Sequence, residues 1–272
     1  MSHPQPDVLT AVRHHFPDRS WEPVDHGESG ASVVRSTDGQ AFAKCVPAAR
    51  SASLAEERDR TEWLHRQGIP APRVLDWWAD SDTACLVLGA VPGVPASGLT
   101  ASRLSSAWSS ITEAVVHLHS VPLGDCPLSR DLASMFAAAH DVVARGAVNP
   151  DFLPEEDRAT PPGELLARLT PQRGERARQE VAEAVVCHGD LCLPNILVDP
   201  ETHRVTGFVD LGRLGRADPY ADLALLLTNA RETWPDERDA QSADRAFARG
   251  YGIDLDHERL GFYLALDPLT WG

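Results

Sequence analysis

Apolar positions in the first ninety residues come in short alternating runs, whereas beyond Gly93 they recur every three to four residues. The runs 31–36 and 40–46 flank Thr37-Asp38-Gly39, and an Asp-Gly step between alternating segments favours a hairpin, so both are expected as strands. A helix is expected over 53–67, opening on serine and meeting Gly68 at its C-terminal cap, with Pro70 and Pro72 blocking its continuation. Strands at 73–78 and 84–88 follow, the second running into Gly89-Ala90-Val91-Pro92-Gly93. Leu104, Trp108, Ile111, Val115 and Leu118 then repeat with 4-3-4-3 spacing, which predicts an amphipathic helix over 100–120. Further helices are expected over 130–145, 171–185, 219–230, 236–249 and 256–265. Asp218-Pro219 sets a capping residue and a first-turn proline before one of them. Two short strands, 196–199 and 205–209, flank the polar turn 200–204. Residues 149–163 (NPDFLPEEDRATPPG) are proline-rich, acidic and aperiodic, a solvated connector or a substrate-facing flap.

The switch of period divides the 272 residues into a small β-rich lobe (1–92) carrying one helix and a larger helical lobe (93–272), an α+β arrangement. No apolar run approaches the length of a membrane span, and the N-terminus lacks the apolar core of a signal peptide, so a cytoplasmic protein is expected. The five cysteines are odd in number and form no C-x-x-C pair, which fits buried thiols in a reducing compartment. A formal net charge of −15 repels nucleic acid and anionic membrane and attracts cations. Among 25 basic residues only one is lysine, Lys44, on the second strand of the expected hairpin. A single lysine in so arginine-rich a chain points to a job that a compact ammonium does and a guanidinium does not.

The chemistry concentrates between residues 188 and 212. His188-Gly189-Asp190 is followed after four residues by Asn195, and Asp210-Leu211-Gly212 lies fifteen residues beyond that. That layout resembles the kinase catalytic loop, H-x-D with asparagine after four residues, and its downstream metal-binding D-x-G; phosphoryl transfer needs a carboxylate to orient and deprotonate a hydroxyl, and two oxygen ligands to hold Mg²⁺ against nucleotide phosphates. Asp190 suits the first task, and Asn195 and Asp210 the second; a hairpin between them would return Asp210 beside Asn195. His188 is assigned to holding the loop. A lysine on phosphates needs a carboxylate to fix it. Glu57 shares a helical stripe with Leu54, Thr61 and Leu64, and an acid on an inward stripe demands a partner, so Glu57 is paired with Lys44. Gly27-Glu28-Ser29-Gly30-Ala31-Ser32-Val33 leads into the first hairpin strand, where glycine backbone and the Ser29 or Ser32 hydroxyl could cover phosphates. Backbone groups of Gly89 and Val91 are the candidates for an adenine edge, with Val46 and Leu197 as walls.

HGDLCLPNILVD (188–199) followed by FVDLGRLGRADPYADLALL (208–226) resembles the signature of the aminoglycoside phosphotransferases, relatives of the protein kinases. Glycine in the middle of H-G-D, where protein kinases carry arginine, is similar to that group, and the resemblance covers nearly the whole chain. It implies a two-lobed protein-kinase-like fold, MgATP held between the lobes, and phosphorylation of a hydroxyl on a cationic antibiotic. Chain length and motif wording look closest to the group acting on the 3''-hydroxyl of streptomycin. The kanamycin-type relatives end in a helix whose acidic pair binds substrate amines; here Asp267 matches one acid and Pro268 replaces the other. Streptomycin's guanidinium groups pair well with carboxylates, and Asp267 with Asp151 and Asp157 are the candidate partners. A small-molecule kinase for choline, homoserine or a fructosamine would share every catalytic residue. An inactive relative would lack Lys44, Asp190 or Asp210, and all three are present. No A-P-E segment follows Asp210, which argues against a protein kinase.

Overall fold

The computed structural model describes residues 8–24 and 31–272, so Ser29 and its neighbouring glycines Gly27 and Gly30 lie outside the described residues. By packing, the chain forms two units: Met1–Gly93 with Thr206–Gly212, and Val94–Val205 with Arg213–Gly272. Asp210, expected in the second lobe, therefore packs with the first unit.

In the first unit, helix α1 (Val8–His15) is followed by an antiparallel sheet of β1 (Trp21–Pro23), β2 (Ser32–Ser36), β3 (Ala41–Pro47), β4 (Val74–Ala79) and β5 (Thr83–Gly89), in the order β1-β2-β3-β5-β4. Helix α2 (Ser51–Arg66) lies between β3 and β4 in sequence and packs on the sheet. Strand alternation sorts the central residues to two faces. Val46, Ala84 and Leu86 meet Leu54 of α2, while Ala43, Cys45, Cys85 and Val87 meet Val12 of α1 and Trp21. Lys44 has the parity of Val46 and so faces α2. The register sets Cys45 directly opposite Cys85, their Cα atoms 4.2 Å apart, and the two form a disulfide. The expectation of free buried thiols thus holds for Cys126 and Cys187 but not for this pair, which pairing of β3 with β5 joins across 40 residues of sequence. Cys192 is not disulfide-bonded and is partly exposed.

The second unit begins with the short β6 (Val94–Pro95) and the long helix α3 (Ala101–His119). Helices α4 (Leu132–Ala144), α5 (Pro162–Leu169) and α6 (Arg173–Glu183) lead to β7 (Val185–Cys187) and β8 (Ile196–Val198). β9 (Val205–Phe208) carries the chain into the first unit, and β10 (Gly215–Ala217), α7 (Tyr220–Arg231), α8 (Glu237–Tyr251) and α9 (His257–Leu266) complete the second. Its core joins Leu132, Phe136 and Ala139 of α4, Leu165, Leu166 and Leu169 of α5, Tyr220 and Ala224 of α7, and Phe262, Tyr263 and Leu266 of α9. β7 pairs antiparallel with β10, and β6 with β8. The buried Trp108 of α3 donates its indole N–H to Ala243 O of α8 (2.9 Å), tying those helices together. Helix α5 was not expected: its first two residues lie in the proline-rich stretch, yet Pro162 opens it and three leucines on one face anchor it. The expected helix 171–185 starts as a 3₁₀ turn, Thr170–Gln172, and stops at Glu183, because Val185 is taken into β7. Among the described residues no helix is long and apolar enough to cross a membrane.

Glu180 of α6 accepts the Leu132 amide at the start of α4 (2.8 Å). Burial chiefly, with Asp131 and Asp218 nearby, raises its carboxyl to about 7. A carboxyl raised on folding binds protons more tightly in the folded chain, so its contribution to stability falls as pH climbs from the ordinary 4.5 through about 7. Glu180→Gln keeps the acceptor and removes the charge. Thermal denaturation should give the variant a higher Tm than the parent at pH 8, with the difference vanishing below the ordinary carboxyl pKa of 4.5; equal Tm values at pH 8 would contradict this account.

Candidate active site

In the first unit, Lys44 Nζ lies 2.8 and 3.0 Å from the two carboxylate oxygens of Glu57 and 3.1 Å from Asp210 Oδ1. Glu57 is 6% exposed, and Leu54, Thr61 and Leu64 of its stripe are buried with it, so the ion pair sits at the α2–sheet interface. Burial alone would lower the Lys44 ammonium, but Glu57 and Asp210 outweigh it and raise its pKa, so the charge is kept. Arg60, one turn along α2, donates to the Gly212 carbonyl and so ties α2 to the D-x-G segment. Asp210 adopts φ 58°, a left-handed conformation that aspartate tolerates better than most residues. Its side chain is 46% exposed, open to a ligand in a way that Glu57 is not.

The strand leading to Asp210 docks on the segment after α2. Phe208 N donates to Pro70 O (3.0 Å), and a Cβ on Gly207 would lie 2.9 Å from both Pro70 O and Val91 Cγ1. Only glycine fits that approach. The Gly89 amide donates to Arg73 O (2.8 Å) and the Ala90 amide to Gln40 O (2.9 Å). The Val91 amide has no backbone acceptor among the described residues. Gly89, Ala90, Val91 and Pro92 line a cavity of about 430 Å³ with Pro70–Arg73, Leu75 and Thr206. Val46 is not in that wall; it is buried in the α2 face of the sheet.

In the second unit, β7 ends at Cys187 and delivers His188-Gly189-Asp190 into a loop that turns through Leu193–Asn195 into β8. Asn195 Nδ2 donates to Asp190 O (2.8 Å) and Oδ2 (3.0 Å). With the amide nitrogen so engaged, the Asn195 carbonyl oxygen is the atom left for a hard cation. His188 is fully buried and its Nδ1 accepts the Asp190 amide (3.3 Å), the loop-holding role assigned to it. Gly189 has φ 84°, and a Cβ there would lie 2.2 Å from Arg213 O and 2.7 Å from Arg130 Cδ. The middle position of H-G-D therefore admits no side chain in this fold.

Helix α7 grips the loop from below. Asp222 accepts the amides of His188 (2.6 Å) and Gly189 (2.8 Å), and Asn229, two turns on along the same face, accepts the Leu193 amide (2.8 Å). An ammonium fixed by a buried glutamate beside an open aspartate, and a carboxylate held by asparagine on a clamped loop, are the parts a phosphoryl-transfer enzyme requires. Residues 20–263 match the family model described as the phosphotransferase enzyme family. The chain belongs to that family.

Its relatives sharpen the comparison. The chain is 62% identical to the streptomycin 3''-kinase of Streptomyces griseus over 93% of each protein. It is 42% identical to an aminoglycoside 3'-phosphotransferase of Streptomyces fradiae, over 95% of this chain and 98% of that one. A solved aminoglycoside phosphotransferase, APH(3'')-Id from Streptomyces rimosus in complex with ADP and streptomycin, superposes with a TM-score of 0.92 at 59% identity, covering 97% of this chain and 98% of that one. The kinase-type fold, and the aminoglycoside kinase family within it, are thereby established for this phosphotransferase.

The three acids proposed to meet a cationic substrate occupy different settings. Asp267 is nine-tenths buried and already serves Arg130 Nη2 (2.9 Å), Arg213 Nη1 (3.5 Å) and Trp271 Nε1 (3.0 Å). Its charge is spent within the fold, and an incoming guanidinium would have to share it. Asp157 pairs with Arg168 (3.1 Å) at the surface, and Asp151 is exposed at the start of a 3₁₀ turn. Asp222, Asn229, Arg130 and Arg213 were not singled out from sequence. The one local sign was an acid at position 222 on a helix face otherwise filled by Ala221, Leu223 and Leu226, where a carboxylate needs donors from elsewhere.

Proposed function

We propose that the protein transfers the γ-phosphoryl group of ATP to the 3''-hydroxyl of streptomycin and so confers resistance to it. The observation that carries this reading is the 62% identity to a streptomycin 3''-kinase across nearly the whole of both chains. The geometry supplies the reaction. Lys44, held by Glu57, provides a fixed ammonium for the nucleotide phosphates, and Gly89 and Val91 offer backbone groups to the adenine. Asp210 and the Asn195 carbonyl oxygen would hold Mg²⁺, which neutralises charge developing on the transferred group. Asp190 takes the acceptor hydroxyl as a hydrogen-bond donor. As the acceptor oxygen bonds to the γ-phosphorus, the bond to the ADP oxygen breaks and the hydroxyl proton passes to Asp190. Because such transition states are loose, orientation contributes more than basicity. Use of ATP as the phosphoryl donor supports a cytoplasmic activity.

The test is ADP release by purified protein with MgATP and streptomycin, kanamycin, choline or homoserine. Turnover with streptomycin alone, with the phosphate located on the 3''-oxygen by ³¹P NMR, is the expected outcome. Turnover with kanamycin or a metabolite instead would overturn the acceptor while leaving the catalytic assignments in place.

A further inference from the structure

One cavity of the first unit carries none of the charged groups assigned to the transfer reaction. It is the space of about 430 Å³ bounded by residues 68–73 after α2, Leu75 of β4, residues 89–92 and Thr206 of β9. Lys44, Glu57 and Asp210 do not line it, so it is separate from the groups assigned to the nucleotide phosphates. Its walls are fixed by hydrogen bonds before any ligand arrives. Gly89 N donates to Arg73 O (2.8 Å), Ala90 N to Gln40 O (2.9 Å) and Phe208 N to Pro70 O (3.0 Å), and the Thr206 hydroxyl donates to Pro92 O. Ile69, Pro70, Pro72 and Leu75 give the cavity an apolar side. Leu75 is 48% exposed although β4 is an edge strand of the sheet, so a large apolar side chain is left open to an occupant.

The charge around this space is one-sided. Arg19, Arg73 and His65, the last from the C-terminal turn of α2, all line it, and among the described residues no aspartate or glutamate does. Elsewhere the chain pairs its arginines: Arg35 with Glu22, Arg66 with Glu62, Arg145 with Asp141 and Arg231 with Glu237. Neither Arg19 nor Arg73 has an ion pair or a side-chain hydrogen bond with a described residue, and Arg19 attracts Asp38 through charge without touching it. An exposed guanidinium is content in water, so an unpaired arginine on a convex surface carries no message. Two of them on an apolar concavity, in a chain of net charge −15, leave a positive site that no carboxylate of the fold fills.

We propose that this cavity is a second ligand site, which binds a small phosphate monoester carrying an apolar ring. Two guanidinium forks match a group that bears close to two negative charges and three acceptor oxygens at neutral pH. A carboxylate would neutralise one of the two. Ile69, Pro72 and Leu75 cover the ring, and the volume lies within the range of small-molecule pockets. The same charges turn away a cationic antibiotic, so the site is not a second place for the acceptor. Gly89 and Val91, whose backbone groups are offered to the adenine, belong to its wall. A nucleotide analogue therefore has to be in place while the cavity is tested.

The test is calorimetric titration of the full chain with 1-naphthyl phosphate in the presence of saturating MgAMP-PNP, which occupies the nucleotide site. The parent should bind it, and 1-naphthol, 1-naphthoate and inorganic phosphate should each bind at least about tenfold more weakly. Arg19→Gln and Arg73→Gln should each weaken binding by about tenfold, the loss expected for one charge-assisted contact. Leu75→Glu, which sets an acid in the cavity, should weaken it at least as much. All three side chains are exposed, so the Tm of each variant should match the parent. The proposal is overturned if the parent does not bind 1-naphthyl phosphate beside MgAMP-PNP, or if both arginine variants bind it as the parent does. Equal binding of 1-naphthol would reduce the cavity to an apolar surface, and equal binding of 1-naphthoate would remove the phosphate; either result overturns it too. Should Arg73→Gln fail to fold, Arg19→Gln, in the loop between α1 and β1, decides by the same titration. A parent that does not phosphorylate streptomycin would end the acceptor assignment and leave this comparison intact.

Discussion

Asp190→Ala lowers kcat for streptomycin phosphorylation by about 10³-fold, within the range that loss of a general base produces, and leaves ATP affinity within about threefold of the parent. The structure predicts this separation of effects. The loop does not depend on the Asp190 side chain for its shape: Asp222 and Asn229 hold it by three backbone amides, and Asn195 keeps its bond to the Asp190 carbonyl in the variant. The metal-type ligand therefore stays in place while the acceptor hydroxyl loses its partner. Asp190→Asn serves as the internal comparison. It can still orient a hydroxyl but cannot take its proton, so its kcat should fall between parent and alanine variant, closer to the parent if orientation dominates. Steady-state kinetics with calorimetric titration of ATP measures both quantities. An Asp190→Ala enzyme with kcat within tenfold of the parent would remove Asp190 from the mechanism.

What the amino-acid pattern showed in advance, and what it hid, follows from the distance over which each residue's role is defined. Asp190 and Asn195 are five positions apart on one loop, so their spacing was readable. Glu57 was readable from helical periodicity alone, because an acid flanked by Leu54, Thr61 and Leu64 has no place on a buried stripe without a cation, and Lys44 is where the cation is. Asp222 reaches the loop across 34 residues, and Arg130 reaches Asp267 across 137; no local period encodes such contacts. Strands β7 and β10, three residues each, are too short to carry an alternation that could be told from chance. The Cys45–Cys85 pair has the same origin, since a register between two strands joined it and no spacing rule could. Asp267 shows another side of the same limit. It stood out as an acid near the chain end in a chain of net charge −15, but the fold had already assigned it two arginines.

The second large effect is at Lys44, where activity and stability can be pulled apart. Lys44→Met removes the ammonium proposed to bind the nucleotide phosphates and leaves Glu57 buried beside Asp210 without a cation. Breaking a buried ion pair from one side costs about 3 kcal/mol, which for a chain of this size lowers Tm by roughly 10 °C. Turnover should fall about 10²- to 10³-fold, as when one preorganised charge-stabilising donor is deleted. Adding Glu57→Gln removes the stranded carboxylate, so the double variant should regain most of the lost Tm and none of the lost kcat. Glu57→Gln alone keeps the ammonium but fixes it less firmly, with Asp210 at 3.1 Å as its one remaining anion among the described residues, so its loss of activity should be the smaller. The Tm values come from thermal denaturation and the rates from ADP release. Recovery of activity together with stability in the double variant would mean that Lys44 matters to the fold alone, and the phosphate-binding role assigned to it would have to be withdrawn.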